Sequence, residues 1–210
     1  MAVIKRGILG GFQNKIGNIV GTSWKGIAVM KSLPLSVANP RTTAQVAQRS
    51  DFGEMSKIGS VVLATIVKPL WDRFAQQESG FNAFLKQNIA TLTEGNLFNP
   101  EDFVISKGKM AAVAISTAVL TDASNNLVVT WPTTLPDAFA ATTDKVYIMA
   151  ISDDSTKTRG YATTAIRSAG TVTVTYPFTP TVNGLQVYLA FLRADGTVVS
   201  DSSYKEASVV

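Results

Sequence analysis

Three aspartates are the residues with which this chain could do metal chemistry. Asp153 and Asp154 sit beside a turn in ISDDSTK, and Asp144 precedes the same strand-like run. Carboxylates hold calcium or magnesium when several oxygen ligands converge. The count and spacing here do not specify a calcium loop, so an Asp-rich solvent turn is the better reading. The chain has no histidine and no cysteine. That removes imidazole ligands, Ser-His-Asp and Cys-His arrangements, thiol chemistry and disulfides. No lysine-based arrangement activates any of the serines or threonines. The expectation is a non-enzyme with no catalytic residue, no metal and no cofactor.

The remaining chemistry-bearing stretch is Gly7 to Lys31, GILGGFQNKIGNIVGTSWKGIAVMK. Six glycines are spread among basic and large apolar residues, which makes a helix costly and favours short strands joined by tight turns. The stretch lacks the GxxxxGK[ST] phosphate loop and the GxGxxG dinucleotide fingerprint. Residues 1 to 50 carry seven basic side chains and no acidic one, a charge of +7, while the rest of the chain sums to −3, giving the net +4. This localised charge suits an acidic partner, an anionic surface or nucleic acid. It has no interleaved aromatic platform, so nucleic acid is the second choice. The residues expected to make contacts are Lys5, Arg6, Ile8, Phe12, Lys15, Ile19, Trp24, Lys25 and Lys31, docking against another subunit through close backbone approach; the same pattern equally suits an irregular sheet edge inside a monomer.

The elements that must position these residues follow in three regions. Residues 1–40 form the glycine-rich docking or β-hairpin region, ending in the LPLSVANP connector, where Pro34 and Pro40 restrict the backbone. Residues 41–98 read as helical. A first helix starts at Thr42 or Thr43 and gathers Ala44, Val46, Ala47, Phe52, Met55, Ile58, Val62, Ile66 and Leu70 on one face. Gly53 and Gly59 would either let the glycine-rich arm cross closely or break the helix, and Pro69 breaks or bends the run near Lys68. Ser79 caps a second helix carrying Phe81, Phe84, Leu85, Ile89 and Leu92.

From residue 99 to 210 the texture changes to short β-compatible runs between Gly, Asp, Asn and Pro. FVISKG, MAAVAISTAVL, NLVVTW, DKVYIMAISD, TRGYATTAI, GTVTVTYPF, GLQVYLAFL and TVVSDSSY predict an antiparallel sandwich of roughly seven strands. Its inward series are Leu127, Val129 and Trp131; Val146, Ile148 and Ala150; Val172, Val174 and Tyr176; and Val187, Leu189 and Phe191. Tyr147 and Tyr188 lie on the opposite phase, where they either pack on the sheet or form an exposed contact surface. Asp195 and Gly196 mark a hairpin turn.

At 210 residues, 46% hydrophobic and 16% charged, the chain can bury a sizeable core and is not generally disordered. Met1 to Ile4 is followed by Lys5 and Arg6, and the next segment is interrupted before an apolar region can form. No secretory signal or membrane-length apolar run is therefore expected. Synthesis in a cytoplasm follows, with later residence in a virion or extracellular assembly left open.

The opening KRGILGGFQNKIGNIVGTSWKGIAVMKSLP, the following NPRTTAQVAQR, and the later DKVYIMAI, GYATT, RSAGTVTVTYP and VYLAFLRADGTVVSDSSY closely resemble an uncharacterised protein family encoded largely by Bacteroidota and their mobile elements. The resemblance covers nearly the whole chain. It implies a mixed α+β protein: a glycine-rich β-like arm and helical region joined to an immunoglobulin or fibronectin type III-like sandwich. It carries no catalytic residue set. The functional expectation is a structural or protein-interaction subunit, such as a virion component or an extracellular filament, that homo-oligomerises or joins other structural subunits through its N-terminal arm. The alternative is a nucleic-acid-associated protein whose arm follows phosphates.

Overall fold

The computed structural model describes residues 2–3, 12–36, 41–93, 96–97, 99–121, 123–152, 155–178 and 184–210. They belong to two compact units, Met1–Thr42 and Thr43–Val210. The class is mixed α+β, with strands dominating.

The first unit is a sheet of four short antiparallel strands: β1 (Ala2–Val3), β2 (Asn14–Ile16), β3 (Ile19–Trp24) and β4 (Ile27–Ser32). Their order is β1-β4-β3-β2. Two-residue loops make the hairpins. Lys25 and Gly26 both have positive φ, 48° and 80°, as a type I′ turn requires, and Gly17 has φ 58°.

In the second unit, α1 (Thr43–Val61) runs through a π-helical turn, Leu63–Val67, into α2 (Lys68–Leu70). The Val67 amide reaches back to the Val62 carbonyl at 3.1 Å. Pro69 lacks an N–H and crowds the carbonyl one turn earlier, and the wider turn just before it absorbs that mismatch. The helix ends at Leu70, with Trp71 as its cap, close to the expected break. Ser79 caps α3 (Gly80–Asn88) by accepting the Asn82 amide at 3.1 Å. A short hairpin, β5 (Leu92–Thr93) with β6 (Asn96–Leu97), follows.

Seven strands complete the unit: β7 (Thr117–Thr121), β8 (Asn126–Thr130), β9 (Lys145–Ser152), β10 (Arg159–Ile166), β11 (Thr171–Thr175), β12 (Leu185–Leu192) and β13 (Ser203–Val209). Their order is β10-β9-β12-β13-β7-β8-β11. The expectation of a purely antiparallel sandwich does not hold: β13 runs parallel to β7, with Ser208 opposite Val119, and joins what would otherwise be two sheets. Tyr161 of edge strand β10 donates to the Thr175 carbonyl of edge strand β11 at 2.8 Å, so the sheet nearly closes on itself.

The expected strand at FVISKG does not form. Side chains take its backbone groups instead: Asn88 bonds both the amide and the carbonyl of Val104, the Trp71 indole donates to the Ile105 carbonyl, and Ser202 Oγ accepts the Ile105 amide. An extended segment satisfied in this way has no ladder left to offer. The last strand begins only at Ser203, near the end of TVVSDSSY, and continues to Val209.

β9 and β12 are adjacent and in full register from Leu185–Ser152 to Leu192–Lys145. Alternate side chains enter two different cores. Val146, Ile148, Ala150, Val187, Leu189 and Phe191 face β7, β8 and β11 in one core, and the other expected inward residues join them there. Tyr147, Met149, Ile151, Tyr188, Ala190 and Leu192 face the helices in the other. The exposed-surface alternative for Tyr147 and Tyr188 is therefore wrong. Helices cover that face of the sheet, and Tyr188 donates to the Pro100 carbonyl at 2.6 Å. An edge-to-face ring series, Trp71 to Phe84 to Phe103, leads on to Tyr188 and Tyr204 at centroid spacings of 5.2 to 5.9 Å.

The helical face is narrower than the periodicity suggests. Met55, Ile58, Val62, Ile66 and Leu70 are buried, whereas Val46 and Phe52 are exposed. Gly59 does permit a close crossing, but with α3: a Cβ there would lie 2.9 Å from the Phe81 ring and 3.1 Å from Leu85. Gly53 faces open space.

One end of the sheet is locked by a buried charge. Arg167 donates through Nε to Asp144 Oδ2 at 3.0 Å, and its guanidinium sits 3.8 Å from the Phe191 ring centroid. Both residues are fully buried. The Arg167 carbonyl accepts the Trp131 indole at 2.8 Å, and its amide reaches the Asp144 carbonyl at 2.8 Å. Burying two charges costs several kcal/mol each before their attraction repays it, so loss of one partner is worse than loss of both. We predict that Arg167→Met lowers unfolding free energy by about 3–5 kcal/mol, and that adding Asp144→Leu restores most of it. Trp131→Ala should cost about 3–5 kcal/mol through the cavity it leaves. Urea titration followed by tryptophan fluorescence and circular dichroism measures all three.

Candidate interaction surface

In an antiparallel pair, directly opposite residues share a face. Register in the N-terminal sheet sets Asn14 against Gly21 and Met30, and Ile16 against Ile19 and Ser32, on one face. On the other face, Lys15, Val20 and Lys31 form one cross-strand row and Trp24 stands opposite Ile27. The sequence-level contact residues thus divide between two surfaces instead of forming one patch. Ile19 belongs to the first, and Lys15, Lys31 and Trp24 to the second.

Lys25 occupies the β3–β4 turn with its Nζ 5.4 Å from the Trp24 ring centroid, an exposed cation–π arrangement. Phe12 is half-buried against Gly21: a Cβ on Gly21 would lie 2.3 Å from the Phe12 carbonyl oxygen and 2.5 Å from its ring. The close backbone approach expected between subunits is present here within the unit itself. Lys5, Arg6 and Ile8 lie outside the described residues, as do Gly7, Gly10, Gly11 and Pro40.

The sheet has little interior. Among residues 12–36 only Gly21 and Val29 are buried. Ile16 is 61% exposed, Ile19 42% and Trp24 43%. β2 and β1 are the edge strands, and an edge presents unpaired backbone groups to any strand that approaches. The surface can therefore offer three things at once: apolar side chains, lysines and a short ladder.

Of the carboxylates considered as cation ligands, Asp144 is engaged by Arg167 and by the Ala141 amide, the latter at 2.9 Å. Asp153 and Asp154 lie outside the described residues. The Asp195-Gly196 turn forms as expected: Gly196 has φ 72°, and Asp195 Oδ1 accepts both the amide and the hydroxyl of Thr197. Those bonds, from the hydroxyl foremost, hold the Asp195 carboxyl below its usual range.

Sequence reasoning missed a concave basic site in the second unit. Arg73, Lys107 and Lys109 line a cavity of about 490 Å³ together with Phe74 and Phe139. The signal was the Lys107-Gly108-Lys109 triplet, whose first two residues the FVISKG strand reading takes in. Among the described residues no helix is long and apolar enough to cross a membrane.

Residues 11–206 match the model of DUF6266, a family of unknown function. No curated protein matches the chain.

The Phe12–Gly21 packing yields a direct test. Gly21→Ala should destabilise the small sheet by about 1–3 kcal/mol, since a methyl group there overlaps backbone as well as ring. In amide NMR spectra, the resonances of residues 14–32 should shift or broaden while those of β9 and β12 stay in place.

Proposed function

The chain belongs to the DUF6266 family, and we propose that it is a non-enzymatic structural or protein-interaction subunit that assembles through its N-terminal sheet. The observation that carries this reading is the exposure of Ile16, Ile19 and Trp24 on a sheet that buries only Gly21 and Val29 among residues 12–36. A small sheet without a hydrophobic face of its own to bury is marginal in water, and a partner that covers its apolar side chains supplies what it lacks. Lys15 and Lys31 rim one face and favour acidic partner surface. The partner is a second copy of this chain or another structural subunit. The sequence resemblance to proteins of Bacteroidota and their mobile elements supports a virion component or extracellular filament.

The second unit acts in this scheme as the compact body. Its strand order supports a fibronectin type III-like origin. Taken in chain sequence, the seven strands group as first, second and fifth on one side and third, fourth, sixth and seventh on the other, with the parallel first–seventh pair as the bridge.

One observation favours nucleic acid as a second reading: Lys15 and Lys31 flank Val20 in a row on the face that also carries Trp24, next to Lys25. That arrangement offers phosphate contacts beside an aromatic ring.

Light scattering on the purified full chain, beside the Ile16→Ser/Ile19→Ser/Trp24→Ser variant, separates these readings. The assembly reading expects a multimer that falls to a monomer in the variant with the far-ultraviolet circular dichroism retained. A monomer in both samples overturns it. The nucleic-acid reading expects affinity for single-stranded DNA that drops by about 0.7 log unit per log unit of salt for each phosphate neutralised, and that is lost on Lys15→Ser/Lys25→Ser/Lys31→Ser substitution.

A further inference from the structure

The cavity lined by Arg73, Lys107 and Lys109 is shaped by two glycines that press cationic residues into position. Gly108 lies so close to β12–β13 connecting backbone that a Cβ there would sit 2.0 Å from the Val199 carbonyl oxygen. Its amide donates to Asp201 Oδ1 at 3.0 Å. Two further bonds fix the loop, from the Met110 amide to the Val199 carbonyl at 3.2 Å and from the Asp201 amide to the Met110 carbonyl at 2.9 Å. Lys107 and Lys109 flank this pinned glycine. On the opposite wall, Arg73 donates through Nη1 to the Gly196 carbonyl at 3.0 Å. A Cβ on Gly196 would displace that guanidinium, at 2.3 Å from Nη1.

Among the described residues, no carboxylate lies within ion-pair distance of the three cations. None of them takes part in an ion pair. The nearby acids are held away from direct contact with these cations: Asp201 on the Gly108 amide, Asp195 on Thr197 and Arg193, and Asp137 on the amides of Ala111, Phe139 and Ala140. All three cations line one cavity, and an anion placed between them is attracted by each. Phe74, Phe139 and Val198 supply an apolar wall to the same cavity. A volume of about 490 Å³ falls within the range of small-ligand sites.

We propose that this cavity binds a small organic anion, with its acidic head between Arg73, Lys107 and Lys109 and its apolar body against Phe74 and Phe139. The bound head is either a carboxylate or a phosphate. Both satisfy the same three donors, and guanidinium takes either one in bidentate fashion. This site lies wholly within the second unit and does not depend on assembly through the N-terminal sheet.

The test is an amide NMR titration of the full chain with phenylacetate, phenyl phosphate and benzyl alcohol in turn. At least one anion should shift the amides of Gly108, Lys109 and Thr197 saturably, and the tighter of the two identifies the head group. Benzyl alcohol should not saturate. Lys107→Glu/Lys109→Glu, both exposed and therefore tolerant of change, should weaken binding by about tenfold or more, and Arg73→Gln should weaken it independently. The proposal is overturned by the absence of saturable shifts with both anions, by equal binding of benzyl alcohol, or by unchanged affinity in both variants.

Discussion

β9 and β12 are covered on both faces, and the rest of the second unit is arranged around that fact. A strand pair with one wet face needs a single partner layer. This pair needs two, because Val146, Ile148 and Ala150 alternate with Tyr147, Met149 and Ile151, and all of them are buried. The strands β7, β8 and β11 supply one layer and the helices the other. Strands buried on both faces read as continuous apolar runs instead of alternating ones. VYIMAI and VYLAFL have that composition.

Two close approaches follow from this double covering. Gly59 brings α1 against Phe81 and Leu85 of α3, and Gly160 on β10 leaves room for Val62, Thr65 and Ile66, since any side chain there would overlap them. The helical layer is thus seated on the sheet by missing side chains as much as by present ones. Arg167 performs the opposite task at one sheet end. Its bonds to Asp144 and its carbonyl's bond to Trp131 tie the end of the β9–β10 pair to the end of the β8–β11 pair. A buried charge fixes such a corner more specifically than an apolar contact, which could slide.

The N-terminal sheet obeys a different rule. Its hairpins form because Gly17, Lys25 and Gly26 turn the chain tightly, and the only packing its glycine content provides within the described residues is Phe12 against Gly21. Local backbone geometry therefore specifies the sheet, with little burial behind it. That difference between the two units is the physical basis for the proposal that the first meets a partner while the second serves as its body. The basic cavity lies in the second unit, beside Gly108 and Gly196.

Much of the fold was legible because it rests on local rules. Ser79 as a cap, the helix start at Thr43, the helix ending soon after Pro69, the Asp195-Gly196 turn and the inward series from Leu127 to Phe191 all follow from short-range periodicity and turn chemistry. What stayed hidden depends on residues far apart in sequence. The partner of Gly59, the burial of Tyr147 and Tyr188, the parallel β13–β7 pairing, the loss of the FVISKG strand to Trp71, Asn88 and Ser202, and the meeting of Arg73 with Lys107 and Lys109 each need chain segments brought together by folding. The sequence by itself determined where the chain turns, which residues are apolar and in what period, and that imidazole and thiol chemistry are absent. Only the tertiary structure decided which face each period packs against and which charges meet, because periodicity encodes a direction from the backbone and not the identity of what lies there.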